Sequence, residues 1–220
     1  LSTKEAHVLF VTIITASLWI SEKLPIPVSS LIPLAAFPLL GVLDSKQVAQ
    51  SYGSPLILLL LGGFMLSTAM SATNSHKLIA NKIIKAIGTS SESKILLSFM
   101  ITASFLSMWI SNTATTLMLL PIALAILEKN QSRNFSIVLL LGIAYAASIG
   151  GIATPIGTPP NLILIQSIKE AGLNEIGFSN WMIQVMPILL IMFPVTYFYL
   201  KSYLENKPID YQIQNLSITK

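Results

Sequence analysis

The 220-residue chain contains no cysteine, which excludes a disulfide framework, a thiol nucleophile and any Cys-ligated metal site. Histidine is almost as scarce. His7 and His76 are the only two, which weakens any zinc site. Charge is thin as well: Asp, Glu, Lys and Arg make up 10% of the residues, against about 25% in an ordinary soluble domain. Hydrophobic residues make up 53%, and the mean hydropathy is +0.74. Such a composition belongs in a lipid bilayer. A net charge of +4 could suit nucleic acid, but the basic residues are scattered between hydrophobic runs, the pattern of loop lysines that set topology. No nucleic-acid partner is therefore expected. The chain opens on Leu1, and LSTKEAH has neither the n-region nor the cleavage site of a secretory signal, so the natural N-terminus is expected to lie upstream. No internal repeat is visible.

What is present is a series of long uncharged runs. A bilayer core about 30 Å thick takes about 20 apolar residues in a helix. The first span is expected near residues 6–21, ended by Glu22-Lys23, and the second near 27–43, bent by Pro33, Pro38 and Gly41. Asp44 and Gln47 form a capping pair for a short surface helix. A third span covers 54–72, where Gly62-Gly63 would permit close helix approach. Residues 76–88 put Lys77, Asn81, Lys82 and Lys85 on one helical face and Leu78, Ile79, Ile83 and Ile87 on the other. That is the pattern of an interfacial helix lying on the bilayer, with His76 solvated at its start.

Two runs are too long for one straight crossing. Ile95 to Leu127 is 33 residues without a charge, with Ser111-Asn112-Thr113 near its centre. Thr89 and Glu92 read as a capping box that starts this element. A single helix over 93–127 would be about 52 Å long, so the polar triplet reads as a break. Each arm is then too short to cross alone, and the segment reads as a re-entrant helical hairpin, packed through Met108, Trp109 and Met118. Asn134 to Ile168 is 35 residues, and its middle, SIGGIATPIGTPPN (148–161), cannot continue a helix past its glycines and prolines. A broken span over 134–170 and a last span near 180–200 complete five crossings plus the hairpin. Residues 203–220 read as a polar cytoplasmic tail. On this topology Lys23, Lys77, Lys82, Lys85, Lys94, Lys129, Arg133, Lys201, Lys207 and Lys220 share one side, against Lys4, Lys46 and Lys169, which makes the first side cytoplasmic.

Each break should present a helix N-terminus inside the membrane. Thr158 suits an N-cap, with Pro159 at the first helical position, and Ser111, Asn112 or Thr113 caps the second arm of the hairpin. Free N–H groups at a positive dipole end attract an anion, while the carbonyls ending the preceding helices suit sodium. No Asp, Glu, Lys or Arg lies inside any span. That argues against a proton-coupled carrier, an intramembrane protease or a charged channel filter, and for a sodium-coupled anion carrier rather than an enzyme.

The segments FLSMWISNTATTLMLLPIALAIL and ASIGGIATPIGTPPNLIL resemble the first half of the divalent-anion:sodium symporters, the dicarboxylate, citrate and sulfate carriers. WISEKLPIPVSSLIPLAAFPLLGVL and LLLGGFMLSTAM resemble that family's early spans, so the likeness covers the whole chain. It implies an all-α integral membrane fold: one half of an inverted-repeat elevator transporter, working as a homodimer in the cell membrane. Residues 1–88 would then be scaffold, and 89–202 half of a transport domain. The resemblance assigns Ser111, Asn112, Thr113, Gly157 and Thr158 to the substrate, a small di- or tricarboxylate or sulfate. It assigns Ser107, Ser111, Asn112 and Gly157 to a co-transported sodium ion, with Ser107 and Ser111 one helical turn apart. The second Ser-Asn-Thr hairpin and second Pro-Pro break of the family have no copy here, so a C-terminal half is expected to be missing. The alternatives are a sulfate symporter, a sodium-independent anion exchanger, or a non-transporting membrane fragment or assembly subunit.

Overall fold

The computed structural model describes residues 2–128 and 132–205, and of Leu56 only the backbone. Lys129, Lys207 and Lys220, counted above for orientation, and most of the expected tail lie outside the described residues. All regular structure among those described is helical. The chain divides into two compact units, 1–58 and 59–220.

In the first unit, α1 (Thr3–Ser21) starts on a reciprocal cap: Ser2 Oγ accepts from Glu5 N at 3.3 Å, and Glu5 accepts from Ser2 N at 2.8 Å. It ends at Glu22, whose φ of 50° is left-handed. The expected first span forms within α1, but Lys4, Glu5 and His7 occupy its opening turns. The expected second span is two short helices, α2 (Ile26–Ser29) and α3 (Ile32–Leu39). Ser29 and Ser30 turn their hydroxyls back onto carbonyls of the preceding turn, and Pro33 follows three residues after Ser30. The capping pair predicted at Asp44 and Gln47 starts α4 (Ser45–Tyr52), with bonds of 2.8 and 3.0 Å.

α5 (Pro55–Ala72) leads into the second unit, followed by α6 (Ser75–Ile87), α7 (Glu92–Ser107), α8 (Asn112–Leu127), α9 (Arg133–Gly151), α10 (Pro159–Glu170) and α11 (Phe178–Lys201). His76 is not solvated as expected. It is buried, with Nδ1 2.9 Å from Met70 O, and with Ala80 and Ile84 it forms the stripe that α6 buries. Leu78, assigned to the apolar face, is exposed. The start of α7 also differs from the reading: Ser91 rather than Thr89 is the N-cap, accepting from Lys94 N at 3.4 Å. Thr89 and Glu92 are both buried.

Twelve of the 16 residues of α7 are buried, which makes it the central helix of this unit. It packs on α9 where glycine removes the obstacle. A Cβ at Gly142 would lie 2.5 Å from Leu96 Cδ1, and one at Gly150 would strike the backbone of Ser104. Both pairs are offset by 46 residues (142 − 96 and 150 − 104), so α7 and α9 run parallel. In this register Arg133 falls level with residue 87 and Gly151 with residue 105, so α9 starts more than a turn before α7 and the two helices end within two residues of each other. α8 must then return. Its end at Leu127 is tied to Arg133 by a link that can span only about 20 Å, while its start lies beside the far end of α9. Among the described residues, the stretch Ser45–Ala72, α9 and α11 are long and apolar enough to cross a membrane. On α11, Ile183, Leu190, Ile191, Val195 and Phe198 are exposed, a face that hydrocarbon solvates better than water.

Candidate functional site

α7 stops at Ser107, and Met108 to Ile110 turn the chain. Ser111 then caps α8: its backbone is extended at ψ 149°, and its Oγ accepts from Ala114 N at 3.2 Å. This settles which of the three polar residues is the cap. The cap leaves the amides of Asn112 and Thr113 without an acceptor among the described residues, at the positive end of a 16-residue helix. Ser107 and Ser111 do not share a helical turn as expected, because the helix has ended between them. The side chain that Ser107 meets is Asn112, whose Oδ1 accepts from Ser107 Oγ at 2.5 Å.

The second break runs from Ile152 to Thr158, and a set of hydrogen bonds from its flanks holds it in place. Gly150 O accepts from Ala153 N at 3.0 Å. Asn161, on the first turn of α10, donates through Nδ2 to both Gly151 O (2.9 Å) and Thr154 O (2.8 Å). Trp181 of α11 donates through Nε1 to Ile152 O at 2.9 Å. Thr154 Oγ accepts from Gly157 N at 3.1 Å and donates to Met108 O at 2.5 Å. Thr158 occupies the N-cap position as predicted, but its hydroxyl makes no cap bond. The reason is local: Pro159 and Pro160 fill the next two positions and carry no N–H to be capped. Gly157 has no N–H to offer a ligand either, since Thr154 takes it.

The two breaks lie against each other. A Cβ on Gly157 would be 2.9 Å from Ser107 O and closer still to Gly151 O, and one on Gly151 would overlap the side-chain oxygen of Asn112. Ser107 O and Gly151 O therefore face the bare Cα of Gly157, while Asn112 Oδ1, bonded to Ser107 Oγ, lies against the bare Cα of Gly151. Ser107 and Gly157 are buried, Ser111, Asn112 and Thr158 are half-buried, and Thr113 is exposed. The hydroxyls of Thr113 and Thr158 have no protein partner among the described residues, so both remain open to a ligand.

The arrangement offers neutral oxygens at one point and N–H and O–H donors beside it. Gly151, Thr154 and Asn161 were not singled out from the sequence. The Gly150-Gly151 pair was a signal of close approach, whereas nothing in the local pattern marks Thr154 or Asn161. Gly63 was flagged for helix approach, but it meets Ile156 of the second break, 3.2 Å from a Cβ placed there.

Fold and site together define an all-helical membrane protein with paired interrupted helices. A family model of citrate transporters matches residues 16–215, and the chain belongs to that family, one of transporters and not of enzymes. The sodium-dependent dicarboxylate transporter SdcS of Staphylococcus aureus is 41% identical over 209 residues, in strains NCTC 8325 / PS 47, COL and USA300 alike. Each match covers 90% of this chain and 40% of the relative. The chain thus spans about two-fifths of the length of the curated relatives it matches.

Proposed function

We propose that this chain is one half of a sodium-coupled carrier of small di- or tricarboxylates, C4-dicarboxylates foremost, in the cell membrane. The observation behind this is the meeting of the two breaks at Gly151 and Gly157, where Ser107 O and Gly151 O face Gly157 and Asn112 Oδ1, bonded to Ser107 Oγ, faces Gly151, with no ionisable group among them. Neutral oxygens at helix breaks suit a monovalent cation. We assign the sodium to Ser107, Ser111, Asn112 and Gly157. The anion goes to Ser111, Asn112, Thr113, Gly157 and Thr158, with the Asn112 and Thr113 amides and the Thr113 and Thr158 hydroxyls as donors and Gly157 contributing only the space left by its missing side chain. Asn112 has both an acceptor oxygen and a donor amide, so it can touch both ligands. At an effective dielectric of about 20, a sodium about 4 Å from one carboxylate charge attracts it by about 4 kcal/mol. In a site without fixed charges this attraction couples the two ligands.

The rest of the architecture follows on the same reading. Because α7 and α9 run parallel and α8 returns antiparallel to both, we place α7 and α8 as a re-entrant hairpin entered from the cytoplasmic side. Residues 1–88 are assigned to the scaffold and 89–202 to half of the transport domain. A second half supplies the other hairpin and break, and the carrier is a homodimer moving as an elevator. The test is uptake of labelled succinate by proteoliposomes holding the intact carrier, with sodium or potassium outside. Sodium-dependent uptake is expected, and Asn112→Asp should abolish it without loss of folded protein, since it sets a negative charge beside the dianion. Sodium-independent uptake would indicate an exchanger. Uptake of sulfate alone would indicate a sulfate symporter, and none at all a non-transporting subunit. Uptake by residues 1–220 alone would refute the half-site.

A further inference from the structure

We infer that Thr154 is a positioning residue for the sodium site, a clasp that holds the two helix breaks at the separation the ion needs. Its side chain is 0% exposed, and one hydroxyl makes two bonds in opposite senses. It donates to Met108 O in the hairpin turn at 2.5 Å and accepts from Gly157 N in its own segment at 3.1 Å. A hydroxyl has one proton and two lone pairs, so both bonds form at once. Among the described residues this is the one hydrogen bond between the segments 107–113 and 150–161. It ties together the residues on which the ion's oxygens depend. Met108 directly follows Ser107, whose carbonyl faces Gly157, and the Gly157 amide is the other end of the clasp. Asn161 reinforces one side by fixing Gly151 O and Thr154 O. Thr154 itself need not touch either ligand. The inference rests on the proposed sodium-coupled reading, and it adds that ion affinity is set by a residue outside the ligand set.

Thr154→Val keeps the shape and removes both side-chain bonds, leaving Met108 O without its donor and Gly157 N with only its longer, 3.3 Å bond to Thr154 O. In the intact carrier in proteoliposomes, the sodium concentration for half-maximal succinate uptake should rise at least tenfold. Maximal uptake and apparent succinate affinity at saturating sodium should stay within about twofold of the parent. Thr154→Ser, which retains the hydroxyl, should bring the sodium dependence back to within about twofold. A purely structural role would instead lower the amount of active carrier and leave its sodium dependence alone. Should Thr154→Val fail to fold, Thr154→Cys decides, because a thiol bonds weakly at the same place: a sodium requirement raised about threefold or more supports the clasp. A folded Thr154→Val with the parent's sodium dependence, an unchanged Thr154→Cys, or no rescue by Thr154→Ser would overturn it. Parent uptake that ignores sodium would sink the sodium reading itself and the clasp with it.

Discussion

Gly151→Ala is the sharpest perturbation of the site, since it adds one methyl group and no charge. The new Cβ would overlap Asn112 Oδ1, with Asn112 Cγ at 3.0 Å and Nδ2 at 3.1 Å. α9 has little freedom to retreat, because Gly150 and Gly142 already seat it against Ser104 and Leu96. Asn112 must therefore swing away and give up its 2.5 Å bond from Ser107. The lost hydrogen bond is worth about 0.5–1.5 kcal/mol, and overpacking in a filled interior adds about 1–3 kcal/mol. If about 1.5–3 kcal/mol of that falls on the ion-bound state, sodium affinity drops roughly 10- to 100-fold, at about 1.4 kcal/mol per factor of ten. The remainder lowers the thermal midpoint by a few degrees.

The assay is sodium-titrated uptake in proteoliposomes, with unfolding of the purified carrier followed in parallel. Gly62→Ala is the control. A Cβ there meets nothing within 4 Å, so uptake should be unchanged and helix stability should rise by up to about 1 kcal/mol. A folded Gly151→Ala carrier with the parent's sodium dependence would refute the reasoning, for it would mean that Asn112 Oδ1 is not where the cation binds.

Three further outcomes are expected. Thr158→Val should weaken apparent substrate affinity by about 1.5–3 kcal/mol, one hydrogen bond to a charged group, with sodium dependence retained; kinetics at saturating sodium check this. The chain has no native cysteine, so single cysteines at Lys82 and Arg133 can be probed cleanly, and both should label only from the cytoplasmic side. Thr115 is fully buried and its hydroxyl has no partner among the described residues, so Thr115→Val should leave uptake intact and hold or raise the melting midpoint, read by thermal denaturation.

The breaks could be read from the chain because they violate a length rule. Runs of 33 and 35 uncharged residues exceed any straight crossing, and Ser-Asn-Thr and Gly-Thr-Pro-Pro-Asn are the only places in them where a helix would stop at low cost. Local chemistry was less reliable at the caps. Thr89 and Glu92 have the right spacing, yet Ser91 forms the cap, and both members of the expected pair are buried. His76 misled for a similar reason. A histidine beside Lys77 looks solvated in sequence, but its ring meets a carbonyl six residues earlier on α5.

Thr154 and Asn161 were illegible on different grounds. Thr154 is an ordinary polar residue of the break and Asn161 one at the start of a helix, and the role of each depends on atoms that the sequence does not place beside it. Met108 is 46 residues from Thr154, and the parallel register of α7 and α9, set by Gly142 and Gly150, is what brings them together. The glycines therefore act before the polar groups in the logic of the fold. They let two helices lie close enough to end at one level, and only then can one hydroxyl span both breaks. A larger residue at Gly150 would separate the helices where their ends meet, parting Thr154 from Met108 and Gly157 from Ser107 together. Helix packing and the proposed ion site thus depend on the same few ångströms.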